Sequence, residues 1–186
     1  EKVKAATIIG TIQSMADNYP GLRPQWAQNS QDERLLGVDL SGIADCPVIR
    51  DAKVLQRLKK LAIKTNQEYA KKLGINPSVA ITCVKPSGNS SVLLDASPGI
   101  HARWSKYYIR RMTFVDKNPI RQALEDQGVP MSLKIGTNNQ WVVEFPIKSP
   151  DGAVCQGDLT ALQQLENWAM FKTEWCEHNP SCTITY

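Results

Sequence analysis

A run of small polar residues after an apolar stretch has the composition of an anion-binding loop. The run Lys85-Pro86-Ser87-Gly88-Asn89-Ser90-Ser91 follows the β-branched stretch at 80–84. Its hydroxyl and amide groups can donate hydrogen bonds, and Gly88 permits a positive φ or the close approach of a ligand. If a helix begins at the end of the run, its free N–H groups and its dipole favour a negative charge there. The pattern therefore predicts that residues 86–91 bind phosphate.

The same residues have a simpler interpretation, because a Pro-Ser-Gly-Asn sequence is typical of an ordinary turn. No Gly-Lys-Ser/Thr follows, so the run is not a Walker loop. Two neighbours are candidates to face the same ligand: Lys85, directly before the loop, and His101, after the Pro-Gly turn at 98–99. Solvation of Lys85 and a loop hydrogen bond of His101 are the alternatives.

The cysteines do not indicate a disulfide framework or a metal site. There are five, an odd number, and no two form a C-x-x-C pair, which favours a reducing, cytoplasmic compartment. Cys83 lies in the apolar stretch and is predicted to be a small buried side chain. Cys176, His178 and Cys182 have a spacing unlike that of zinc sites, so we predict no metal.

Chain length, composition and net charge limit the classes of ligand that the chain is expected to bind. The chain has 186 residues, is 42% hydrophobic and carries a formal net charge of +4. These values fit one ordinary domain that binds a phosphorylated small molecule. The positive excess is too small to indicate nucleic acid by itself, and no apolar run approaches the roughly 18 residues of a membrane helix.

Helices and strands are predicted to alternate along the chain, which indicates an α/β protein. Residues 19–32 are predicted to form a turn and a loop. Gly74 and Gly128 are predicted to end helices, and Asp158 to cap the last one. Helices are predicted at 3–18, 50–73, 119–127 and 159–177, and strands at 33–43, 78–84, 107–114, 140–147 and 181–186. In the last helix the predicted inward residues are Leu159, Leu162, Leu165, Trp168 and Ala169.

Six stretches, in order and at compatible spacing, match motifs of one enzyme family. They are 34–43 (RLLGVDLSGI), 82–91 (TCVKPSGNSS), 97–101 (SPGIH), 107–111 (YYIRR), 141–147 (WVVEFPI) and 179–186 (NPSCTITY). On these motifs the chain resembles the catalytic domain of the adenosylcobalamin-dependent (class II) ribonucleoside-triphosphate reductases. The resemblance implies that residues 1–186 are a single segment of that domain, truncated at both ends, and part of a ten-stranded α/β barrel.

The resemblance also implies a function. Enzymes of this family replace the ribose 2′-OH of a ribonucleoside triphosphate or diphosphate by hydrogen. Adenosylcobalamin generates a thiyl radical on a cysteine, and a thioredoxin-type protein supplies the electrons. In this comparison the loop 86–91 cradles the substrate phosphates, although Asn89 stands where the family usually has Thr. Arg110 and Arg111 are further candidates to steer the polyphosphate, with ion pairing as the alternative.

The catalytic residues implied by the resemblance are not in this chain. The family carries its radical cysteine and its glutamate in an Asn-Pro-Cys-x-Glu element, whereas the Asn-Pro pairs at 76–77, 118–119 and 179–180 are followed by Ser, Ile and Ser. We therefore expect that element upstream and no reduction by this segment alone. Two alternatives stay open: a non-catalytic nucleotide- or RNA-binding module that uses the basic stretch 103–111, and a relative that kept the fold and lost the chemistry.

Overall fold

The computed structural model describes residues 1–186 and has a mixed α/β architecture, as predicted. The helices are α1 (Lys2–Gln13), α2 (Pro24–Glu33), α3 (Ala52–Leu73), α4 (Ser90–Leu93), α5 (Pro119–Asp126) and α6 (Ala161–Glu174). The strands are β1 (Val38–Asp39), β2 (Thr82–Cys83), β3 (Tyr107–Val115), β4 (Met131–Leu133) and β5 (Gln140–Lys148). None of the helices combines the length and the apolar character that a membrane span requires.

The long helix α3 begins and ends where its sequence dictates. The Asp51 side chain accepts a hydrogen bond from the Val54 N–H at 2.9 Å, which satisfies a free donor of the first turn. Gly74 ends the helix with a φ of +67°, in the left-handed region that favours glycine. Leu55 and Ala62 lie on its buried face. The predicted helix and its glycine stop are confirmed, whereas the cap at Asp51 was not predicted.

The short parallel pair β1–β2 lies at the centre of the core. Val38 pairs with Thr82, and Asp39 pairs with Cys83. Phe171 of helix α6 and Trp175, the residue that caps its end, cover the pair, and both are fully buried. The Trp175 indole N–H donates to the Cys83 carbonyl at 2.8 Å, so its polar atom is satisfied inside the core. This packing fixes the end of β2, from which the loop 85–89 leaves.

The second sheet is antiparallel, with strand order β3–β5–β4, and α5 packs beside it. The Asn118 side chain accepts a hydrogen bond from the Ile120 N–H at 2.8 Å, and Pro119 starts α5. The Arg121 guanidinium lies 5.3 Å from the centre of the Trp141 ring, which fixes the helix on the sheet. The predictions of β3, of β5 and of the Asn-Pro helix start are confirmed.

Three predicted strands are much shorter than expected or absent. The one at 33–43 reduces to Val38–Asp39, because Arg34 adopts a φ of +45° and Gly42 one of +76°. The one at 78–84 reduces to Thr82–Cys83, since its partner β1 has two residues. Residues 181–186 form no strand, because no strand of this chain pairs with them. The sheets have two and three strands, so the ten-stranded barrel stays a prediction.

Some helix boundaries were also predicted wrongly. Helix α1 ends at Gln13 and not near 18. The stretch 24–33 is helical, because Pro24 occupies the first helical position, where its missing N–H costs nothing.

Helix α6 is capped by Thr160, whose hydroxyl accepts from the Gln163 N–H, and not by Asp158. The predicted inward face of α6 is wrong in part, because Leu162, Leu165 and Ala169 are exposed. The buried face instead continues through Trp168 to Phe171.

Candidate functional site

The loop with the phosphate-binding pattern leaves the carboxyl end of the parallel pair. The Lys85 backbone N–H donates to the Asp39 carboxylate at 2.9 Å, which ties the start of the loop to the end of β1. Burial raises the pKa of Asp39, although this hydrogen bond and that from the Leu40 N–H oppose the shift. Ligands commonly bind at the carboxyl ends of parallel strands, so the loop occupies a favourable position.

The backbone of the loop offers a series of free donors. None of the five N–H groups from Ser87 to Ser91 donates a hydrogen bond to another group of the chain. The helix that follows, α4, has only four residues, so its dipole is much smaller than that of a full helix. Asn89 is its N-cap, and the Asn89 side chain makes no capping bond. The predicted helix start is therefore one turn, and its local N–H groups provide most of the attraction for an anion.

The serine side chains of the loop add to these donors. The Ser87 hydroxyl is buried and has no hydrogen-bond partner. The buried Ser91 hydroxyl has one weak bond, 3.4 Å to the Ser87 carbonyl. Both line one cavity of about 250 Å³ together with Gly88. Pro86, Asn89 and Ser90 are exposed at the rim of the loop. A buried hydroxyl without a partner is costly, so this cavity is suited to a polar ligand.

Two glycines give the loop its shape in different ways. Gly88 does not have a positive φ, and a Cβ built on it meets nothing within 4 Å, so its open side leaves room for a ligand. Gly99 has a φ of +58°, and a Cβ on it would lie 2.6 Å from the Lys85 carbonyl oxygen. Its N–H donates to the Ser41 hydroxyl at 3.0 Å. The backbone of the turn at 97–99 therefore packs against the backbone of Lys85 at the start of the loop, at a distance that only glycine permits.

These contacts predict opposite results for two alanine substitutions. Gly99→Ala is expected to lower the free energy of unfolding by about 2 kcal/mol or more, from the left-handed φ and the clash with Lys85. Gly88→Ala is expected to leave stability within about 0.5 kcal/mol of wild type, while it weakens the binding of a phosphate that approaches the backbone. Chemical denaturation of both variants measures the difference, and equal stability losses would contradict it.

A buried arginine fixes the same turn from the other side. Arg103 is 6% exposed and forms ion pairs with Asp45 at 3.0 Å and with Asp95 at 2.9 Å. Asp45 also accepts from the Ser97 N–H at 2.7 Å. Burial lowers the pKa of Arg103, but the hydrogen bonds to both aspartates outweigh it, and the net pKa is raised. This network was not predicted, because the sequence has no signal that pairs Arg103 with a residue 58 positions away.

His101 and Lys85, the two further candidates, have partners away from the loop. The His101 Nε2 accepts from the Thr183 N–H at 2.8 Å, so Nδ1 carries the proton and donates to the Pro98 carbonyl at 3.2 Å. The Lys85 ammonium donates to the Asn179 carbonyl at 3.1 Å. Neither residue lines the cavity of Ser87. A direct contact of either with substrate stays a prediction that requires one of these bonds to be exchanged.

The two adjacent arginines on β3, Arg110 and Arg111, have different surroundings. Arg111 pairs with Glu144 at 2.8 Å on the exposed side of the sheet, as the ion-pair alternative predicts. Arg110 lines the cavity of Ser87 and Ser91. The basic stretch 103–111 therefore already has Arg103 and Arg111 in ion pairs, which weakens the pattern behind the RNA-binding alternative.

The buried cysteines have the character of core residues. Cys83 is 4% exposed, which confirms its predicted burial, and burial is the main cause that raises the pKa of its thiol to about 11. Burial likewise raises the pKa of Cys176 to about 11. The His178 Nε2 lies 2.6 Å from the Leu36 carbonyl, so that nitrogen already has a hydrogen-bond partner. No group of three or more potential metal-binding side chains is clustered in the structure.

Comparison with known proteins gives related sequences and one related structure. No protein-family model matches the chain. An adenosylcobalamin-dependent ribonucleoside-triphosphate reductase of Lactobacillus leichmannii is 37% identical over 142 residues, which are 74% of this chain and 19% of the relative. The enzyme of the same name from Levilactobacillus brevis is 31% identical over 146 residues, 75% of this chain and 20% of the relative. The chain thus spans about a fifth of the length of these relatives.

The structural comparison finds a match to the same class of enzyme. The crystal structure of a B12-dependent (class II) ribonucleotide reductase superposes with a TM-score of 0.65 and 36% sequence identity. The match covers 74% of this chain and 20% of the crystallised one.

Proposed function

Because the chain is a homologue of one segment of the adenosylcobalamin-dependent ribonucleoside-triphosphate reductases, we propose that it is the substrate-phosphate-binding segment of such an enzyme. The intact protein would convert ribonucleotides to 2′-deoxyribonucleotides by thiyl-radical chemistry. The radical cysteine and its glutamate would lie outside residues 1–186. In this proposal the chain holds and orients the substrate, and the reaction itself takes place on other residues.

The observation that supports this role most strongly is the set of free donors in the loop. Five consecutive backbone N–H groups, from Ser87 to Ser91, lie beside the unpartnered Ser87 hydroxyl at the end of a parallel strand pair. Phosphate oxygens accept such bonds strongly, because each bond to a charged acceptor is about twice as strong as a neutral one. The open side of Gly88 permits an approach to the backbone, and the turn at Gly99 keeps the loop in place.

Adenosylcobalamin is proposed as the cofactor of the intact protein, on the names of the relatives. The residues of this chain do not fit it as a complete site. The main cavities measure about 240 to 470 Å³, much less than a corrin ring with its substituents requires. The Nε2 atoms of both histidines, His101 and His178, are hydrogen-bonded within the chain. We therefore assign the cofactor site mainly to other parts of the protein and derive no step through it.

The remaining features of the enzyme follow from the same proposal. The names of the relatives favour a ribonucleoside triphosphate as substrate, with a diphosphate as the alternative. A thioredoxin-type protein would re-reduce the enzyme, and a cytoplasmic location would provide both the nucleotides and the reductant. The loop recognises the phosphates and not the base, so this segment would serve all the ribonucleotides that the enzyme reduces.

An assay of the intact protein tests the proposed function. We expect deoxynucleotide to form from a ribonucleoside triphosphate and a dithiol only when adenosylcobalamin is added. Translation of the flanking coding sequence should show an upstream Asn-Pro-Cys-x-Glu element. If that element is absent and no reduction occurs, the chain belongs to a relative that kept the fold without the chemistry. Steeply salt-dependent RNA binding by such a protein would support the binding-module alternative.

A further inference from the structure

The cavity beside the loop has a second wall, which the antiparallel sheet provides. Strand β3 contributes Tyr108 and Arg110 to the cavity that Ser87 and Ser91 line. Residues two apart on a strand share one face of the sheet, so both of these side chains belong to the same face. Ile147, the β5 partner of Tyr108, also lines the cavity. The loop and the sheet, which are distant in sequence, therefore enclose one space of about 250 Å³.

Arg110 has no partner inside the chain. Its side chain forms no ion pair and no hydrogen bond, and its Nε atom is buried. A buried guanidinium N–H without an acceptor is destabilising, and the effect is larger for charged groups than for neutral ones. The Ser87 hydroxyl in the same cavity is in the same situation. Two residues that line one cavity, each with a buried donor that lacks an acceptor, indicate that a ligand supplies the acceptor.

The other charged side chains at the cavity are already in ion pairs. Arg103 lies between Asp45 and Asp95, and both ion pairs are near 3 Å. These three side chains together carry one net negative charge, and Asp95 also lines the cavity. Arg110 remains as the cation whose donors are free to meet an anion. Its planar guanidinium can bind two phosphate oxygens at once, which suits it to a polyphosphate.

We infer that Arg110 binds the polyphosphate of the nucleotide from the side of the sheet, opposite the loop 86–91. This inference rests on the proposed function of the loop and adds a charged residue to a site otherwise built from neutral donors. In this arrangement the phosphates are bound between strand β3 and the loop. Nucleotides with a polyphosphate benefit from this contact, and nucleosides without phosphate do not.

Replacement of Arg110 by methionine in the intact protein tests the inference. Inorganic tripolyphosphate, used as a probe, is expected to bind about 10- to 100-fold more weakly to Arg110→Met, from the loss of a charge-assisted contact. The KM for ribonucleoside triphosphate should rise by a similar factor, with a much smaller change in kcat. Arg111→Met is the matched control, because Arg111 is the next residue, is exposed and pairs with Glu144. It should behave like wild type.

Comparison of Arg110→Met with Gly88→Ala separates this inference from the proposed function. If Arg110→Met binds tripolyphosphate like wild type while Gly88→Ala binds it weakly, the role of Arg110 is overturned and the loop proposal stands. If neither substitution weakens binding, the loop proposal itself fails. Should Arg110→Met not fold, Arg110→Lys keeps the charge but not the paired donors. Tripolyphosphate should then raise its Tm less than that of wild type, and an equal rise would overturn the inference.

Discussion

Ser90→Asp in the intact protein is expected to raise the KM for ribonucleotide by about 100-fold. Ser90 lies within the series of free N–H groups, so a carboxylate there would occupy the place of a phosphate oxygen and repel the substrate. Two like charges about 5 Å apart, near a protein surface, repel by about 3 kcal/mol, which corresponds to a change of that order. Steady-state kinetics with varied substrate concentration measures it.

Two matched variants show whether the effect belongs to the loop. Ser90→Ala removes the hydroxyl and adds no charge, so the KM should change by less than about tenfold. Ser132→Asp places the same charge on an exposed serine of β4 that does not line the cavity of the loop, and it should leave the KM unchanged. A KM for Ser90→Asp equal to that of wild type would remove the loop from the substrate site.

Arg103→Met is expected to lower the free energy of unfolding by about 3 kcal/mol. The substitution leaves the partly buried Asp45 without its cation, and the cost of such an unpaired charge exceeds the value of the pair itself, whereas the mostly exposed Asp95 contributes little to the loss. Because Asp45 also holds the Ser97 N–H, the turn that supports the loop should loosen as well. The KM for substrate should therefore rise together with the loss of stability.

Arg111→Met serves again as the control for this prediction. The Arg111–Glu144 pair is solvent-exposed, and such pairs contribute at most about 1 kcal/mol. Denaturation by urea, followed by circular dichroism, compares the two variants. Equal losses of stability would mean that the Arg103 network is no stronger than a surface ion pair, and would contradict its role in holding the turn.

The parts of the fold that follow from local physics were predictable from the sequence. Helix α5 begins at Asn118-Pro119 and α3 ends at Gly74, because capping depends on residues a few positions apart. The strands β3 and β5 were predictable from their β-branched and aromatic residues. By contrast, β1 and β2 are only two residues long, because the extent of a strand depends on its partner and not on its own composition.

The candidate site was likewise predictable only in part from the sequence. The sequence indicated the loop 86–91 through its small polar residues, and through the resemblance. It did not indicate which of the two adjacent arginines faces the loop, because that depends on the register between β3 and β5. The ion-pair network of Arg103 could not be predicted from the sequence either, since its partner Asp45 is 58 positions away.

A crystal structure of the intact protein with a ribonucleoside triphosphate tests the central claim most directly. We expect phosphate oxygens within about 3 Å of the backbone N–H groups between Ser87 and Ser91, with the Arg110 guanidinium on the opposite side. Phosphates bound at another surface, with the N–H groups of this loop in contact with water alone, would contradict the account.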